Sequence, residues 1–274
     1  MSRFFVVTVI SILFTTLLSG SILKEKVENI VGTKDYKIHN SLINLLFNDE
    51  SKYIVNEQIK YYKLFNTLQK NGLLNLRLNK PSNIEIEFKS INNNFKSYKI
   101  LNDTMQVLGY RYFFTKSMSV KNKTNLTWNI VFKAEYMLDP VVLLKELKQN
   151  GCKVLHVSNN GSNKWSYELD FENSELTNAI KIDKNEKVKF QKPLRAYMLK
   201  VDNAQSLQVI SRNLNSWFPH IVFFDKDLNV LNIIKKDRVY KGLKIQVPNN
   251  TRYIKLTDLY NLINIKRGLS IIVR

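Results

Sequence analysis

Cys152 and His156 are the pair with the clearest chemical potential: a thiol and an imidazole four residues apart. In a strand, where side chains alternate, both would fall on one face, and a thiol beside a base is the core of a nucleophilic site. Such a site also needs a cleft and a third group to orient the base, and no residue near them in sequence supplies one. Glu168 and Asp170 also share a strand face and could form an acid–base carboxylate pair. They alternate with Trp165, Tyr167 and Leu169, the pattern of a strand's solvated side. Asp225-x-Asp227-x-Asn229 has the opening spacing of a calcium loop, but Val230 stands where the sharp turn needs Gly and Lys236 where the bidentate Glu belongs. The three histidines, His39, His156 and His220, fall in separate elements without metal-ligand spacing. No Gly-x-Ser-x-Gly elbow or phosphate-cradling Gly-rich loop occurs. The expectation is therefore no catalytic residue, no metal and no cofactor. The candidate ligand-binding residues are aromatic: Trp217 and Phe218 in Trp217-Phe218-Pro219-His220, with Tyr240 and Tyr253. Aromatic loops of β-domains stack on sugars or peptides; the plainer reading is an apolar plug at a sandwich end.

These residues sit in a 274-residue chain of net charge +19. Residues 191–274 hold fifteen Lys and Arg, six of them Arg, against five Asp and Glu, a net +10. Lys, Asn and Ile are all abundant, which AT-rich codon usage produces by itself, so part of the lysine excess is a solvated surface. A basic surface favours anionic partners such as lipid headgroups, acidic envelope polymers or DNA, and there is no zinc-finger spacing, Arg-rich helix or aromatic signature of specific nucleic-acid binding. One cysteine excludes an intrachain disulfide.

Residues 4–23 form an uncharged apolar run of twenty residues behind Arg3, long enough to cross a hydrocarbon core as a helix. They read either as a membrane anchor or as a secretory signal cleaved after Ser21. Both place the rest on the periplasmic side of a bacterial inner membrane, anchored to it or soluble in the periplasm. Residues 24–80 read as a helical stalk or hairpin, or as helices packed on the next domain, with Val55, Ile59, Tyr62, Phe65 and Leu68 at helical spacing. Residues 81–172 read as β-α-β-β-α-β with one further strand. Ile84, Ile86 and Phe88 alternate, Tyr98 to Leu108 has helical period, and Tyr110, Tyr112 and Phe114 alternate. Trp128 to Tyr136 alternates, Asp139-Pro140 starts a helix that Gly151 ends, and Cys152–Val157 pairs with Trp165–Phe171. That is a ferredoxin-like, split βαβ order. Residues 173–192 alternate charge and read as a linker. Residues 193–274, with short alternating strands between Pro, Gly, Asn and Asp turns, read as an all-β sandwich. The fold class is α+β.

The apolar run 4–23, the helical stretch 53–70 and the strand–helix–strand run 124–157 together resemble the inner-membrane alignment proteins of type IV pilus and type II secretion machines. That resemblance, one of layout over roughly the first 170 residues, implies a domain that binds other envelope proteins. Residues 193–274 resemble galactose-binding-like jelly-roll domains. Two functions are expected: a non-enzymatic structural or interaction component of a pilus, secretion or flagellar-type apparatus, or a periplasmic protein whose sandwich binds carbohydrate or peptidoglycan through an exposed Trp217.

Overall fold

Ile84, Ile86 and Phe88 alternate with Glu85, Glu87 and Lys89 because their strand has one covered and one wet face, and that strand is the centre of the first sheet. The computed structural model describes residues 22–92, 94–161 and 163–274. It is α+β and divides into two units, the first ending at Ser174 and the second spanning Glu175–Arg274. The first contains α1 over 22–31, α2 (Thr33–Ile38), α3 (Asn40–Leu46), β1 (Ile54–Val55), β2 (Gln58–Ile59), α4 (Tyr61–Lys70) and β3 (Arg77–Ile91). It continues with α5 (Asn94–Val107), β4 (Phe114–Lys121), β5 (Asn125–Tyr136), α6 (Pro140–Gln149), β6 (Lys153–Asn159) and β7 (Lys164–Asp170). The expected membrane segment 4–23 lies outside the described residues except for Ile22 and Leu23, which belong to α1. No helix among the described residues is long and apolar enough to cross a membrane.

The sheet runs β4-β5-β3-β7-β6. β3 is antiparallel to β5 and parallel to β7, so the hairpin strand β7 sits between β3 and the crossover strand β6. The first half, β3-α5-β4 with β5 between, is a split βαβ; in the second, two strands separate β5 from β6. α4 packs on α6 and α6 on α5, covering the face that carries Ile86, Phe88, Trp128, Ile130, Tyr167 and Leu169. Asp139 caps α6 by accepting from Val141 N at 2.8 Å and Val142 N at 3.3 Å, and its other oxygen accepts from Gln69 of α4 at 2.8 Å. Gly151, at φ 74°, ends α6 with Cys152 N donating back to Leu147 O.

Two local expectations fail. Val55 and Ile59 do not ride a helix: Asn56 and Glu57 take left-handed backbone angles, turning 54–59 into a two-residue hairpin, so helix α4 begins only at Tyr61. Tyr110 and Tyr112 precede β4 rather than joining it; Tyr110 packs its ring 4.7 Å from Phe132.

The second unit comprises β8 (Ile180–Lys181), β9 (Lys187–Lys189), β10 (Tyr197–Lys200), β11 (Ser206–Ser211), β12 (Pro219–Phe224), β13 (Val230–Lys235), β14 (Gly242–Gln246), β15 (Tyr253–Asp258) and β16 (Leu269–Val273). They form two sheets, β13-β12-β15-β10-β8 and β14-β11-β16-β9, sharing one core that includes Leu199, Ile221, Phe223 and Leu256 from the first and Leu207, Val209, Leu269 and Ile271 from the second. The stretch 173–192, expected as a linker, is largely part of this sandwich. β8 pairs with β10, β9 pairs with β16, and Ile182 and Phe190 are buried in the core. Glu175 binds both Lys200 and Arg252. Edge strands of two or three residues show too little alternation to register as strands, and their outward lysines look like a solvated connection.

Candidate functional site: an open sheet edge

The pairings in β6 decide what Cys152 and His156 can do. Val154 lies opposite Leu169, but His156 lies opposite Glu168, so one extra residue is accommodated between them. A bulge of one residue reverses the alternation. Cys152 and Val154 therefore share the side of Leu169, while His156 shares the side of Glu168, where the first residue of α4 and Lys26 of α1 reach it. The pair expected on one face is split. Cys152 is buried, its thiol pushed up to about 12 by burial, which leaves it inert as a nucleophile. His156 is half-buried, with Lys26 Nζ 3.1 Å from Nε2 and the Tyr61 hydroxyl 3.5 Å from Nδ1. Glu168 lies in a cross-strand row between Lys89 and His156, and Asp170 accepts from Asn92 at 3.1 Å and Glu172 N at 2.9 Å. These carboxylates belong to the wet face of the sheet. His39 is exposed at the α2–α3 junction. Among the described residues no three of His, Cys, Asp and Glu are grouped to hold a metal ion. The Asp225 carboxylate is taken up by its own turn, accepting from Asp227 N, Asn229 N and Asn229 Nδ2 at 2.8 to 2.9 Å.

The aromatic set does not assemble into a receptor. Trp217 is fully buried and donates from Nε1 to Thr257 O at 3.0 Å, so it plugs the sandwich end. Tyr253 is buried at the opposite end of β15, its hydroxyl accepting from Leu176 N at 3.2 Å. Phe218 stacks edge-on against Tyr260, with ring centroids 5.0 Å apart, and Tyr240 carries the Arg238 guanidinium over its ring. A sugar platform needs Trp217 exposed in a groove; a ring that joins two sheets across a core serves packing instead, and its burial was not readable from a Trp-Phe-Pro-His string.

The surface that departs from ordinary sheet design is an edge. At the β6 end α1 reaches the last residue of the edge strand. Asn29 of α1 donates to Asn159 O at 3.1 Å and accepts from Asn159 N at 3.0 Å, imitating a neighbouring strand. At the other end β4 has a strand on one side only among the described residues, and all eight of its residues are exposed. Phe114 is 78 % exposed, Met118 46 % and Val120 49 %. Met118 and Val120 lie opposite the buried Trp128 and Leu126, so they carry the covered face outward beyond the helices. Exposed Tyr98 of α5 packs its ring 5.1 Å from that of Trp128, the residue opposite Met118. β4 is held by Trp128 Nε1 donating to Thr115 Oγ1 at 3.0 Å and by Lys116 reaching Glu85 at 2.5 Å. Natural edges of this length are usually covered or charged; this one has a bulge at Lys116 and a lysine at its end, yet leaves Phe114, Met118 and Val120 exposed along it. Residues 110–124 include Arg111, Lys116, Lys121 and Lys123 and no acidic residue. The arrangement can accept an added strand with apolar and acidic side chains. Sequence reading missed it because alternating Thr, Ser, Met and Val says nothing about which strand ends a sheet.

The two part-buried histidines give the molecule a testable pH response. Burial, then Lys26, holds His156 below its ordinary 6.5, and burial, then Lys235 and Lys255, does the same to His220. A lowered folded value means the unfolded chain takes the proton first. Their contribution is thus complete above 6.5 and lost as pH falls through the folded values. Glu85 and Glu175 are held below 4.5 by their lysine and arginine partners, so their losses come only at lower pH. Melting temperature is expected to hold from pH 8 to 7 and fall between 6.5 and 4.5, with His156→Gln and His220→Gln each flattening that fall. A parent curve level from pH 7 to 5 would contradict the assignment.

No protein-family model and no curated protein matches this chain.

Proposed function

We propose that this chain is a non-enzymatic, exported protein of a bacterial cell envelope, a structural or interaction component of a pilus, secretion or flagellar-type apparatus. β4 is the strand to which a neighbouring envelope protein adds its own. The observation that carries the reading is the asymmetry of the first sheet among the described residues: β6 is mostly part-buried and engaged by Asn29, whereas β4 is exposed throughout, with Phe114, Met118 and Val120 beside basic residues. The apolar run 4–23 supports export, and the split βαβ half supports the ferredoxin-like kinship with alignment proteins. The separation of Cys152 from His156 supports a binding rather than a chemical role.

Met118→Asp together with Val120→Asp tests it. Both side chains are exposed, so the folding cost stays within about 0.5 kcal/mol per site, while a partner strand would have to bury two unpaired carboxylates. Affinity capture from membranes is expected to recover an envelope-machine component with the parent and at least ~10-fold less, about 1.4 kcal/mol, with the double variant. Recovery of no such component by the parent, or equal recovery by both, rejects the reading.

A further inference from the structure

We infer that the outer face and following loop of the β12–β13 hairpin, in the second unit, form a docking surface for an anionic lipid bilayer. β13 is the outer strand of the five-stranded sheet, and only Ile234 of its six residues is less than exposed. Ile234 lies opposite Ile221 and faces the core, so its neighbours Ile233 and Lys235 share the outer face. Across that face Ile233 is in register with Val222 and Lys255, and Lys235 with His220. The chain then continues into exposed Lys236, Arg238 and Val239. Residues 226–244 hold six Lys and Arg against two Asp. Among the described residues, Lys235, Lys236 and Arg238 form no ion pair, whereas Lys200 on the same sheet is neutralised by Glu175.

The mixture selects the occupant. Lys235 and Lys236, with no ion-pair partner among the described residues, and Arg238, held over the Tyr240 ring, call for an anionic surface. Ile233, at 47 % exposed, and Val239, at 46 %, stand among those cations as separate aliphatic side chains. An acidic polymer offers them nothing to enter. A protein partner is usually held by clustered aromatic and arginine anchors; here the single such pair, Arg238 on Tyr240, is satisfied within the segment, and the outer face of the hairpin presents separate aliphatic side chains and lysines. A bilayer surface accepts both features at once: lysine and arginine at phosphate level, aliphatic groups at the acyl boundary. The inference concerns the second unit alone and stands independently of the β4 reading.

The test uses the full chain carrying Val239→Cys, labelled with a polarity-sensitive fluorophore. Cys152 is buried, so the label goes to position 239. Vesicles of phosphatidylcholine with 30 % phosphatidylglycerol are expected to shift the label's emission to the blue, whereas pure phosphatidylcholine vesicles leave it unchanged. The response should disappear in 0.5 M salt, because the attraction falls off within a Debye length of roughly 3 to 10 Å over this salt range. Adding Lys235→Gln, Lys236→Gln and Arg238→Gln should weaken the apparent vesicle affinity about 100-fold, three charges each contributing near the surface. A label at Lys244→Cys, on the other sheet, should stay silent. No shift with anionic vesicles, or an equal shift with neutral ones, overturns the inference even if the apolar run 4–23 inserts in both. An equal shift with soluble polyglutamate overturns it in favour of a general polyanion site. The salt arm on the parent keeps the test decisive should the triple variant misfold.

Discussion

Gly268→Ala is expected to lower the melting temperature of the second unit by roughly 10 to 30 °C. Gly268 has φ 82°, and a Cβ there would stand 1.9 Å from Phe190 O, 2.9 Å from Phe190 C and 3.0 Å from Gln191 O. All three are backbone atoms, so no side chain can swing away. The residue is also pinned by its own bonds: its N–H donates to Ile265 O at 2.8 Å and its carbonyl accepts from Asn215 Nδ2 at 2.8 Å. Relief requires pushing the β9 end off β16, which breaks the Phe190 N to Leu269 O bond and uncovers buried Leu269. The left-handed conformation costs about 1–2 kcal/mol with a side chain and the overlap about 1–3 more. For a unit of this size each kcal/mol moves the midpoint by about 4–8 °C. Trp217 is the one tryptophan in residues 175–274, so its fluorescence follows that unit while Trp128 and Trp165 follow the first. A shift below about 4 °C would mean that the β9–β16 junction is not as close as described.

Trp128→Ala should destabilise the first unit by about 3–5 kcal/mol and loosen the β4 edge with it. Trp128 is fully buried on β5, with Phe88, Tyr98 and Phe113 rings 5.1 to 6.0 Å away. Removing it opens a large cavity under α5 and takes away the donor to Thr115. Trp128→Phe keeps most of the volume and loses only the N–H bond, so it should cost about 1–2 kcal/mol. Denaturant unfolding monitored at Trp165 ranks the variants, and hydrogen exchange over 114–121 reads the edge. Fast exchange there in both variants would assign β4's order to the Thr115 bond. Unchanged exchange in Trp128→Ala would show that the ladder to β5 holds β4 by itself, and a parent-like unfolding curve would contradict the packing described.

The order and character of the central elements follow from local chemistry. Ile84, Ile86 and Phe88, and likewise Trp128, Ile130 and Phe132, repeat at the strand period because each faces the helices at every second residue. Asp139, Pro140 and Gly151 mark both ends of α6 because capping depends on residues within one turn. What sequence could not determine was set by partners distant along the chain. β7 lies between β3 and β6, although nothing in Trp165–Asp170 specifies its neighbours. One residue accommodated in β6 turns His156 away from Cys152. Trp217 is interior because the sandwich core closes around it and Thr257 O, forty residues on, accepts a hydrogen bond from its indole N–H. Lys187–Lys189 is a strand because Ser270–Ile272 pairs with it. Whether β4 ends the sheet, and so can receive a partner, is likewise decided by which strands lie beside it. Periodicity and capping are written within a few residues, whereas register, bulges and edges arise only when distant segments compete for the same hydrogen bonds.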